Sequence, residues 1–287
     1  MKKTDCEEES ENFLQWASSG KWFYPTHKTI PELKAGCYEV DFNNGSLLFK
    51  QLKLETDNLI KFENSISNLV VKEINRFWGL SKKFKAYGFI HKRGFLLHGA
   101  QGSGKTCILA LISEELIKRY NGIILIADAP KILSMALEQF RDIELNRPIV
   151  VMLEDIDKIL DFNEEDLLEL LDGRIQVGKV VYVATTNYPS KINPRIINRP
   201  SRFDRVIKIE YPGAKERTLY LKTKIPKLSS ADIKKFIKHT DGFSFAHLKE
   251  LVVSVKCLDL SIEETIARLK NMKNSIKDSN SSSKIGI

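Results

Sequence analysis

Hydrophobic and polar positions change their spacing along the chain, and the first such change predicts a hairpin followed by a helix. In 36–54, apolar and polar residues partly alternate on both sides of Asn44-Gly45. That dipeptide favours the tight turn of a β-hairpin, because both residues tolerate a positive φ. Residues 64–79 then place apolar side chains at helical spacing, which predicts an amphipathic helix.

From 94 to 212, short apolar runs alternate with helical segments. The apolar runs predict strands at 95–98, 122–127, 149–153, 180–184 and 206–209. The segments between them predict helices at 105–119, 131–144 and 163–172. Strands that are apolar on both faces and alternate with helices are typical of a parallel sheet covered on both sides. We therefore predict an α/β fold for this part of the chain.

After residue 213 no strand pattern remains, and the spacing predicts helices at 214–224, 231–239, 245–258 and 262–272. Ser261 and Glu264 form a capping box for the last of these helices. Residues 274–287 are rich in Ser, Asn and Lys and predict a disordered tail. The predicted domains are an N-terminal extension at 1–54, an α/β domain at 55–212, a small helical domain at 213–273 and the tail.

A glycine-rich segment between the first α/β strand and its helix has the pattern of a phosphate-binding loop. GAQGSGKT matches G-x-x-x-x-G-K-[ST], and its glycines let successive backbone N–H groups point at phosphates. Lys105 would reach the β and γ phosphates, and the Thr106 hydroxyl would bind Mg²⁺. The candidate nucleotide-binding residues are Gly99, Ala100, Gln101, Gly102, Ser103, Gly104, Lys105, Thr106 and Cys107.

Two acidic residues, Glu154 and Asp155, follow the strand at 149–153. In a parallel sheet, carboxylates at the carboxyl end of a strand face the ligand crevice. One acid is needed to hold Mg²⁺ and another to polarise the attacking water. Two exposed acids without a ligand are the alternative interpretation, which the phosphate loop disfavours.

Composition excludes several classes of protein but does not identify a partner. The 45 Lys and Arg against 37 Asp and Glu give a formal charge of +8, which by itself does not indicate nucleic-acid binding. The four cysteines are far apart, which favours a reducing compartment over a disulfide framework or zinc ribbon. No apolar run approaches the ~18 residues of a membrane span, and the acidic start does not resemble a signal peptide. We therefore expect a cytoplasmic protein with no membrane span.

Two charged segments lie outside these motifs. Glu7, Glu8, Glu9 and Glu11 form an acidic run that we interpret as a solvated tail. A basic segment at 82–93 interleaves lysines with Phe84, Tyr87 and Phe89, and a solvated helix end leading into a strand is favoured there over a nucleic-acid or phosphate surface.

Three further segments occur in an order that resembles the AAA family of P-loop ATPases, within the AAA+ class. VVYVATTNYP, from residue 180, resembles the sensor-1 strand, and INPRIINRPSRFDR, from 192, resembles the second region of homology. DGFSFAHL, from 241, resembles a segment of the helical lid. The resemblance covers about 55–272. It implies an AAA+ core followed by a lid, with ATP and Mg²⁺ as cofactors and hydrolysis to ADP and phosphate as the reaction.

The resemblance also implies roles for individual residues. Asn187 matches sensor 1, which positions the hydrolytic water. Arg202 and Arg205 match the arginine fingers, which enter the site of the neighbouring subunit, so a homo-oligomeric ring, usually a hexamer, is expected. An internal salt-bridge cluster with Asp204 is the alternative for these two arginines.

The chain departs from the family pattern in three places. Glu154-Asp155 reverses the usual Asp-Glu order, as in the mitochondrial Rieske-protein translocase branch, so that by position Glu154 binds the metal with Thr106 and Asp155 is the base. Segment 128–137 lacks the aromatic–apolar–Gly triplet of many translocating rings, and Leu133 or Met135 would have to replace it. Residues 245–247 lack a sensor-2 arginine, as is normal for the AAA branch.

We expect an ATP-hydrolysing ring that remodels or translocates a macromolecule, with protein favoured over nucleic acid. The N-terminal extension would be its client or adaptor module. A nucleic-acid-associated ATPase (a helicase loader, or a viral replication or packaging enzyme) and a nucleotide-dependent assembly switch are the alternatives. The compact size and the Lys-, Ile- and Asn-rich composition suit a phage or prokaryotic protein.

Overall fold

The computed structural model describes residues 15–19, 22–26, 29–54, 60–62, 65–174 and 176–281. The strands in these residues are β1 (Gln15–Ser19), β2 (Trp22–Thr26), β3 (Gly36–Asn43), β4 (Ser46–Leu52), β5 (Lys92–His98), β6 (Ile123–Ile126), β7 (Ile149–Leu153), β8 (Val180–Thr186) and β9 (Arg205–Lys208). The helices are α1 (Ile66–Trp78), α2 (Ser81–Ala86), α3 (Lys105–Tyr120), α4 (Pro130–Ile143), α5 (Ile156–Asp172), α6 (Pro194–Ile197), α7 (Ala214–Lys224), α8 (Ser230–His239), α9 (Phe245–Lys256) and α10 (Ile262–Ser281).

The main sheet has the order β4-β3-β6-β7-β8-β5-β9. All neighbouring pairs are parallel except β3 and β4. Every residue of β7 and β8 is buried, as required for central strands covered on both faces. The predicted α/β fold is therefore confirmed, and β1 and β2 form a separate antiparallel pair.

Helices cover the sheet in two layers. Side chains of α1 and α3, such as Ile74 and Ile112, pack on one face with Phe95. Side chains of α4 and α5, such as Phe140 and Leu167, pack on the other face with Leu96. Because adjacent residues of β5 point to opposite faces, one strand contributes to both cores.

The predicted hairpin is confirmed, but it belongs to the main sheet, so a domain boundary at residue 54 between the hairpin and the α/β domain is wrong. Its turn places Asn44 and Gly45 at φ of 49° and 78°. The hairpin is the edge of the main sheet, because β3 pairs in parallel with β6 from Gly36↔Ile123 to Glu39↔Ile126. The reason is hydrophobic: Tyr38 on β3 is buried in the same core as α4. Residues 1–14 of the predicted extension lie outside the described residues.

Two helices are longer than their spacing predicts. α5 begins at Ile156, directly after the acidic pair, and its backbone leaves helical geometry at Asn163 (φ −135°, ψ 34°) before it continues to Asp172. α10 runs to Ser281, so part of the predicted tail at 274–287 is helical. No glycine or proline interrupts 262–281, which explains the continuation. Residues 282–287 lie outside the described part.

A buried ion pair anchors the segment that precedes the hairpin. Arg147 Nη1 lies 2.6 Å from Glu144 Oε2, and both side chains are less than a tenth exposed. Glu144 Oε1 accepts a hydrogen bond of 2.9 Å from the backbone N–H of Leu33, whose carbonyl accepts one of 2.5 Å from Arg147. Both charges are therefore satisfied, and residue 33 is fixed to the end of α4.

The C-terminal helices α7 to α10 build their own core. Its fully buried side chains include Leu221, Phe236, Leu248 and Leu269. The predicted small helical domain thus has the independent core that a lid requires.

We predict that Arg147→Ala destabilises the protein by about 3–5 kcal/mol, because the variant leaves the buried Glu144 carboxylate without its cation. Urea denaturation followed by circular dichroism measures the change. Arg119→Ala is the matched control, since Arg119 is exposed and pairs with Glu115 on the surface of α3, where such pairs contribute about 0.5 kcal/mol. Equal midpoints for the two variants would contradict the anchoring role of the buried pair.

Candidate active site

The loop between β5 and α3 folds as a phosphate-binding cradle. Gly102 and Gly104 adopt φ of 72° and 107°, a region that favours glycine, and α3 begins immediately at Lys105. Lys105 is 8% exposed and donates hydrogen bonds to the carbonyls of Gly99 (2.7 Å) and Ala100 (3.1 Å). The loop therefore holds its lysine above the N-terminus of a 16-residue helix, where an anion is favoured.

A chain of polar contacts joins this lysine to the ends of β8, which neighbours β5, and of β7, the next strand in the sheet. Lys105 Nζ donates to Asn187 Oδ1 at 2.7 Å, and Asn187 Nδ2 donates to Asp155 Oδ1 at 3.3 Å. The other carboxylate oxygen, Asp155 Oδ2, accepts from Lys158 Nζ at 2.8 Å. Three of the predicted site residues, from three different segments, thus meet at the carboxyl edge of the sheet.

A sharp turn aims the two adjacent acids. Asp155 has a φ of +48° and its backbone N–H donates to Thr185 Oγ1 at 3.2 Å. Glu154 directly follows β7, and its carboxylate makes no hydrogen bond to another described residue; the exposed Thr106 hydroxyl makes none either. The pKa of Glu154 is raised, first by desolvation at the sheet edge and then by repulsion from Asp155.

Several supporting residues were not predicted from the sequence. Asp157 is buried on the first turn of α5, and its Oδ1 accepts a hydrogen bond of 2.6 Å from Thr186 Oγ1. Thr186 Oγ1 in turn accepts from the backbone N–H of Tyr188 at 2.9 Å. These bonds fix the backbone on both sides of Asn187. In the sequence, these two residues are marked only by their positions. Asp157 is a third acid close to Glu154-Asp155, and Thr186 directly precedes Asn187.

Burial dominates the electrostatics of Lys105. Desolvation lowers the pKa of its ammonium group, and the carboxylates of Asp155 and Asp157 oppose that change by attraction. An ammonium group that has lost hydration and bonds to neutral carbonyl and amide oxygens is strongly stabilised by a nearby anion. A phosphate group would supply that anion.

The helical lid touches the phosphate loop directly. The backbone N–H of Phe245, at the start of α9, donates to Gly102 O at 3.0 Å. A Cβ added at Gly104 would lie 3.2 Å from the Phe245 ring, so glycine is also needed here for close approach. A cavity of about 270 Å³ opens between lid and loop, and it is lined by Phe62, Ser103, Gly104, Cys107, Tyr211 and Phe245 among others. The predicted residue Cys107 therefore faces an aromatic cavity large enough for a nucleobase.

The two predicted arginine fingers lie far from this site. Arg205 pairs with Phe95 on β5, and a Cβ on Gly94 would lie 2.0 Å from the Arg202 carbonyl oxygen. The phosphate loop begins at the other end of β5, so at ~3.3 Å per residue it is roughly 13–16 Å away from these positions. Neither arginine is brought together with Lys105 in its own chain.

The internal contacts of these arginines differ from the predicted cluster with Asp204. Arg202 is buried, donates to the Arg195 carbonyl at 2.7 Å and lies 3.7 Å from Asp172 Oδ2. The side chain of Arg205 is 51% exposed and lies 3.4 Å from Glu73. Asp204 instead accepts from the backbone N–H of Gly94 at 2.8 Å. An acid of α5, rather than Asp204, partners Arg202, because the chain turns back towards the end of that helix.

The segment at 128–137 provides one exposed apolar side chain. Leu133 is completely buried in the core beneath α4, so the expectation that it replaces a pore aromatic is wrong. Met135 on the same helix is 36% exposed and remains a candidate.

The donor set fits Mg²⁺ bound together with phosphates. Thr106 and Glu154 supply one hydroxyl and one carboxylate, whereas no group of three or more His, Cys, Asp or Glu side chains within the described residues forms a metal site of its own. Mg²⁺ usually takes one or two protein ligands plus phosphate oxygens and water.

Among the described helices, none combines the length and apolarity needed to cross a membrane.

Comparison with known proteins agrees with the geometry. The chain is 31% identical over 190 residues to a cell division cycle protein 48 homolog from Archaeoglobus fulgidus, covering 58% of this chain and 25% of that protein. It is 31% identical over 189 residues to a probable 26S proteasome regulatory subunit 10B from Caenorhabditis elegans, covering 58% and 46%. It is 28% identical over 199 residues to a proteasome-activating nucleotidase from Methanosarcina mazei, covering 59% and 45%.

The chain thus spans between a quarter and a half of the length of these relatives. Residues 95–211 match the family described as "ATPase family associated with various cellular activities (AAA)". This range runs from β5 through the phosphate loop, the acidic turn, the Asn187 strand and β9. The segment that carries the candidate site is therefore similar to the ATPase domain of that family.

Proposed function

We propose that this protein hydrolyses ATP in a ring of identical subunits and uses the energy to remodel a protein client. The contact chain Lys105–Asn187–Asp155 carries the first part of the proposal. It joins a phosphate-binding cation, an amide that can hold water and a carboxylate that can accept a proton. These are the three groups that hydrolysis of a phosphoanhydride requires.

Each group has a distinct task in the reaction. Lys105 and the loop N–H groups bind the β and γ phosphates, and the cavity beside Cys107 and Phe245 holds the base. Asn187 holds the attacking water next to the γ-phosphate. Asp155 accepts a proton as the water oxygen bonds to the γ-phosphorus, while the bond from that phosphorus to the β–γ bridging oxygen breaks and ADP leaves.

Mg²⁺ would be held by Thr106 and Glu154 and would neutralise charge on the β and γ oxygens. In this assignment Glu154 keeps the metal position and Asp155 the base position, although their order is reversed relative to the usual pair. The left-handed turn at Asp155 supports it, because that turn directs the second carboxylate to Asn187.

The arginines support a shared site between subunits. Arg202 and Arg205 lie near the amino-terminal edge of β5, at a distance from their own phosphate loop greater than an arginine side chain spans. Arg205 is the more exposed of the two and would give up only a surface ion pair with Glu73 to turn towards a neighbour, whereas Arg202 must give up its bond to the Arg195 carbonyl. A guanidinium group from the adjacent subunit would offset charge on the γ-phosphoryl group.

A protein client is favoured by the relatives whose names refer to the proteasome. The N-terminal extension is proposed as the client or adaptor module. Since β3 and β4 belong to the main sheet, only the part before the hairpin, which includes β1 and β2, is available for that role.

Lys105→Ala should weaken ATP binding at least about tenfold, because a hydrogen bond to a charged group contributes about 1.5–3 kcal/mol. Titration of a fluorescent ATP analogue measures the affinity. Lys118→Ala is the control, since Lys118 is exposed on the same helix and pairs only with Glu114 among the described residues. Unchanged affinity in the Lys105 variant would refute the phosphate-binding role.

Asp155→Asn should leave ATP binding within about twofold of the parent and reduce turnover by a factor of about 10²–10⁴, the usual contribution of a general base. Phosphate release under saturating ATP measures turnover. Asp161→Asn, a change at an exposed acid of α5, the helix that begins directly after Asp155, serves as the control. Turnover at the parent rate in Asp155→Asn would show that another group accepts the proton.

Mixing two inactive variants should restore part of the activity if the arginines act between subunits. One variant carries Asp155→Asn, and the other carries Arg202→Ala with Arg205→Ala. Loss of an arginine finger can cost about 10³–10⁵ in turnover, so even partial recovery is measurable. Co-assembly is verified by size-exclusion chromatography with two labels, and no recovery in co-assembled rings would refute a finger from the neighbour.

A further inference from the structure

An exposed surface at the edge of the sheet opposite the phosphate loop combines basic and apolar side chains. It surrounds a cavity of about 270 Å³ at the ends of α2 and α4. We call it the basic-apolar patch, and define it as Lys82, Lys83, Lys85, Phe89, Arg141, Leu145 and Lys179.

Phe89 and Leu145 are the apolar part of this patch. They are 69% and 73% exposed and line the cavity from two different segments. Large apolar side chains that converge on a cavity and remain this exposed usually mark a binding surface. The adjacent Tyr87 and Ile90 are also exposed, which extends the apolar surface along the connection to β5.

The charge of the patch is positive, and its three α2 lysines have no acidic partner within the described residues. Lys82, Lys83 and Lys85 are exposed and form no ion pair there. Arg141 bonds only to carbonyl oxygens, of Glu144, Gly178 and Lys179, and burial lowers its pKa to about 10, which keeps the guanidinium charged at neutral pH. None of the residues that line the cavity is acidic.

One segment of the same chain has the complementary chemistry. Residues 5–14, which we call the acidic segment, read DCEEESENFL and carry five carboxylates followed by Phe13 and Leu14. Acidic and apolar residues thus occur together in the segment, as basic and apolar residues do in the patch.

The point at which the extension is attached brings the acidic segment within reach. Leu33 is bonded to Glu144 and Arg147, the residues on either side of Leu145 and Asn146 in the patch region. Cys6 lies fewer than thirty residues before Leu33. The connection includes the β1–β2 pair and is still short, so it raises the effective concentration of the segment near the patch above that of a separate peptide.

We propose that the acidic segment, residues 5–14, docks on the basic-apolar patch of its own chain. Its carboxylates pair with the three α2 lysines, and Phe13 or Leu14 covers Phe89 and Leu145. The docked segment removes an exposed apolar surface from water and occupies the patch until a partner displaces it. This proposal does not depend on ATP hydrolysis or on a ring.

The native Cys6 allows a direct test. In the full-length chain with Cys107→Ser and Cys257→Ser, Leu145→Cys should form a disulfide with Cys6 under mild oxidation, identified by peptide mass spectrometry. Leu258→Cys is the matched control, because Leu258 is 59% exposed but lies between α9 and α10 in the lid. Equal disulfide yields for the two positions would overturn the proposal.

Charge reversal then tests the specificity of the contact. Replacing Lys82, Lys83 and Lys85 by Glu should reduce the disulfide yield to that of the Leu258→Cys control. Adding Glu7→Lys, Glu8→Lys, Glu9→Lys and Glu11→Lys to that variant should restore the yield, which a misfolded protein could not do. A yield that is insensitive to both changes would overturn the proposal.

Two other occupants would be recognised in the same samples. A disulfide between two chains, seen as a doubled mass on a non-reducing gel, would assign the patch to a second copy and overturn docking within the chain. Binding of a labelled oligothymidylate that the three Lys→Glu changes abolish, without any disulfide between Cys6 and the thiol introduced by Leu145→Cys, would assign the patch to nucleic acid and overturn the proposal. An intrachain disulfide whose yield falls with added salt supports the proposal.

Discussion

The hydrogen bond between Lys105 Nζ and Asn187 Oδ1 connects the phosphate loop to the end of β8, 82 residues away along the chain. It forms because β5 and β8 are parallel neighbours whose carboxyl ends meet at one edge of the sheet. β7, the other neighbour of β8, brings Asp155 to the same edge. The order of three strands therefore assembles the candidate catalytic groups, and the helices on both faces only have to keep that order.

The N-terminal hairpin extends the same sheet on the opposite side from β9. Its position depends on hydrogen bonding to β6, on apolar packing against α4 and on the buried pair of Glu144 and Arg147. The pair is not required for packing, since two apolar residues of similar size often serve equally well. Its value here is positional, because its hydrogen bonds to Leu33 determine where the preceding segment leaves the domain.

Most of the fold and the phosphate loop could be predicted from local sequence patterns. Fully apolar strands, helical spacing and the GAQGSGKT segment are each contained in fewer than twenty residues, so no long-range information is needed to recognise them. The place of β3 beside β6 could not be predicted, because strand pairing depends on which edge is left uncovered after the other strands have assembled. The same holds for Asp157 and Thr186, whose bond joins residues 29 positions apart.

The arginine segment shows a different limit. Its similarity to a family motif makes Arg202 and Arg205 candidate fingers, but Asp172 as the acid beside Arg202 follows only from where α5 ends. The expectation for Leu133 fails for a comparable reason. An apolar residue near the start of a helix can face the core or the solvent, and only the packing of α4 shows that Leu133 faces the core.

β9 is short and is held at both ends by backbone contacts. At one end Gly94 leaves room for the Arg202 carbonyl, and at the other a Cβ on Gly99 would lie 2.2 Å from the Ile209 carbonyl oxygen. Four residues further along the chain, at Gly213, the first lid helix is about to begin. These contacts fix the positions of both ends of β9, which connects the arginine segment to the segment that leads into the lid. Only four peptide units separate Arg205 from Ile209, and β9 is paired with β5 along its whole length, so a displacement of Ile209 with the lid would also displace Arg205.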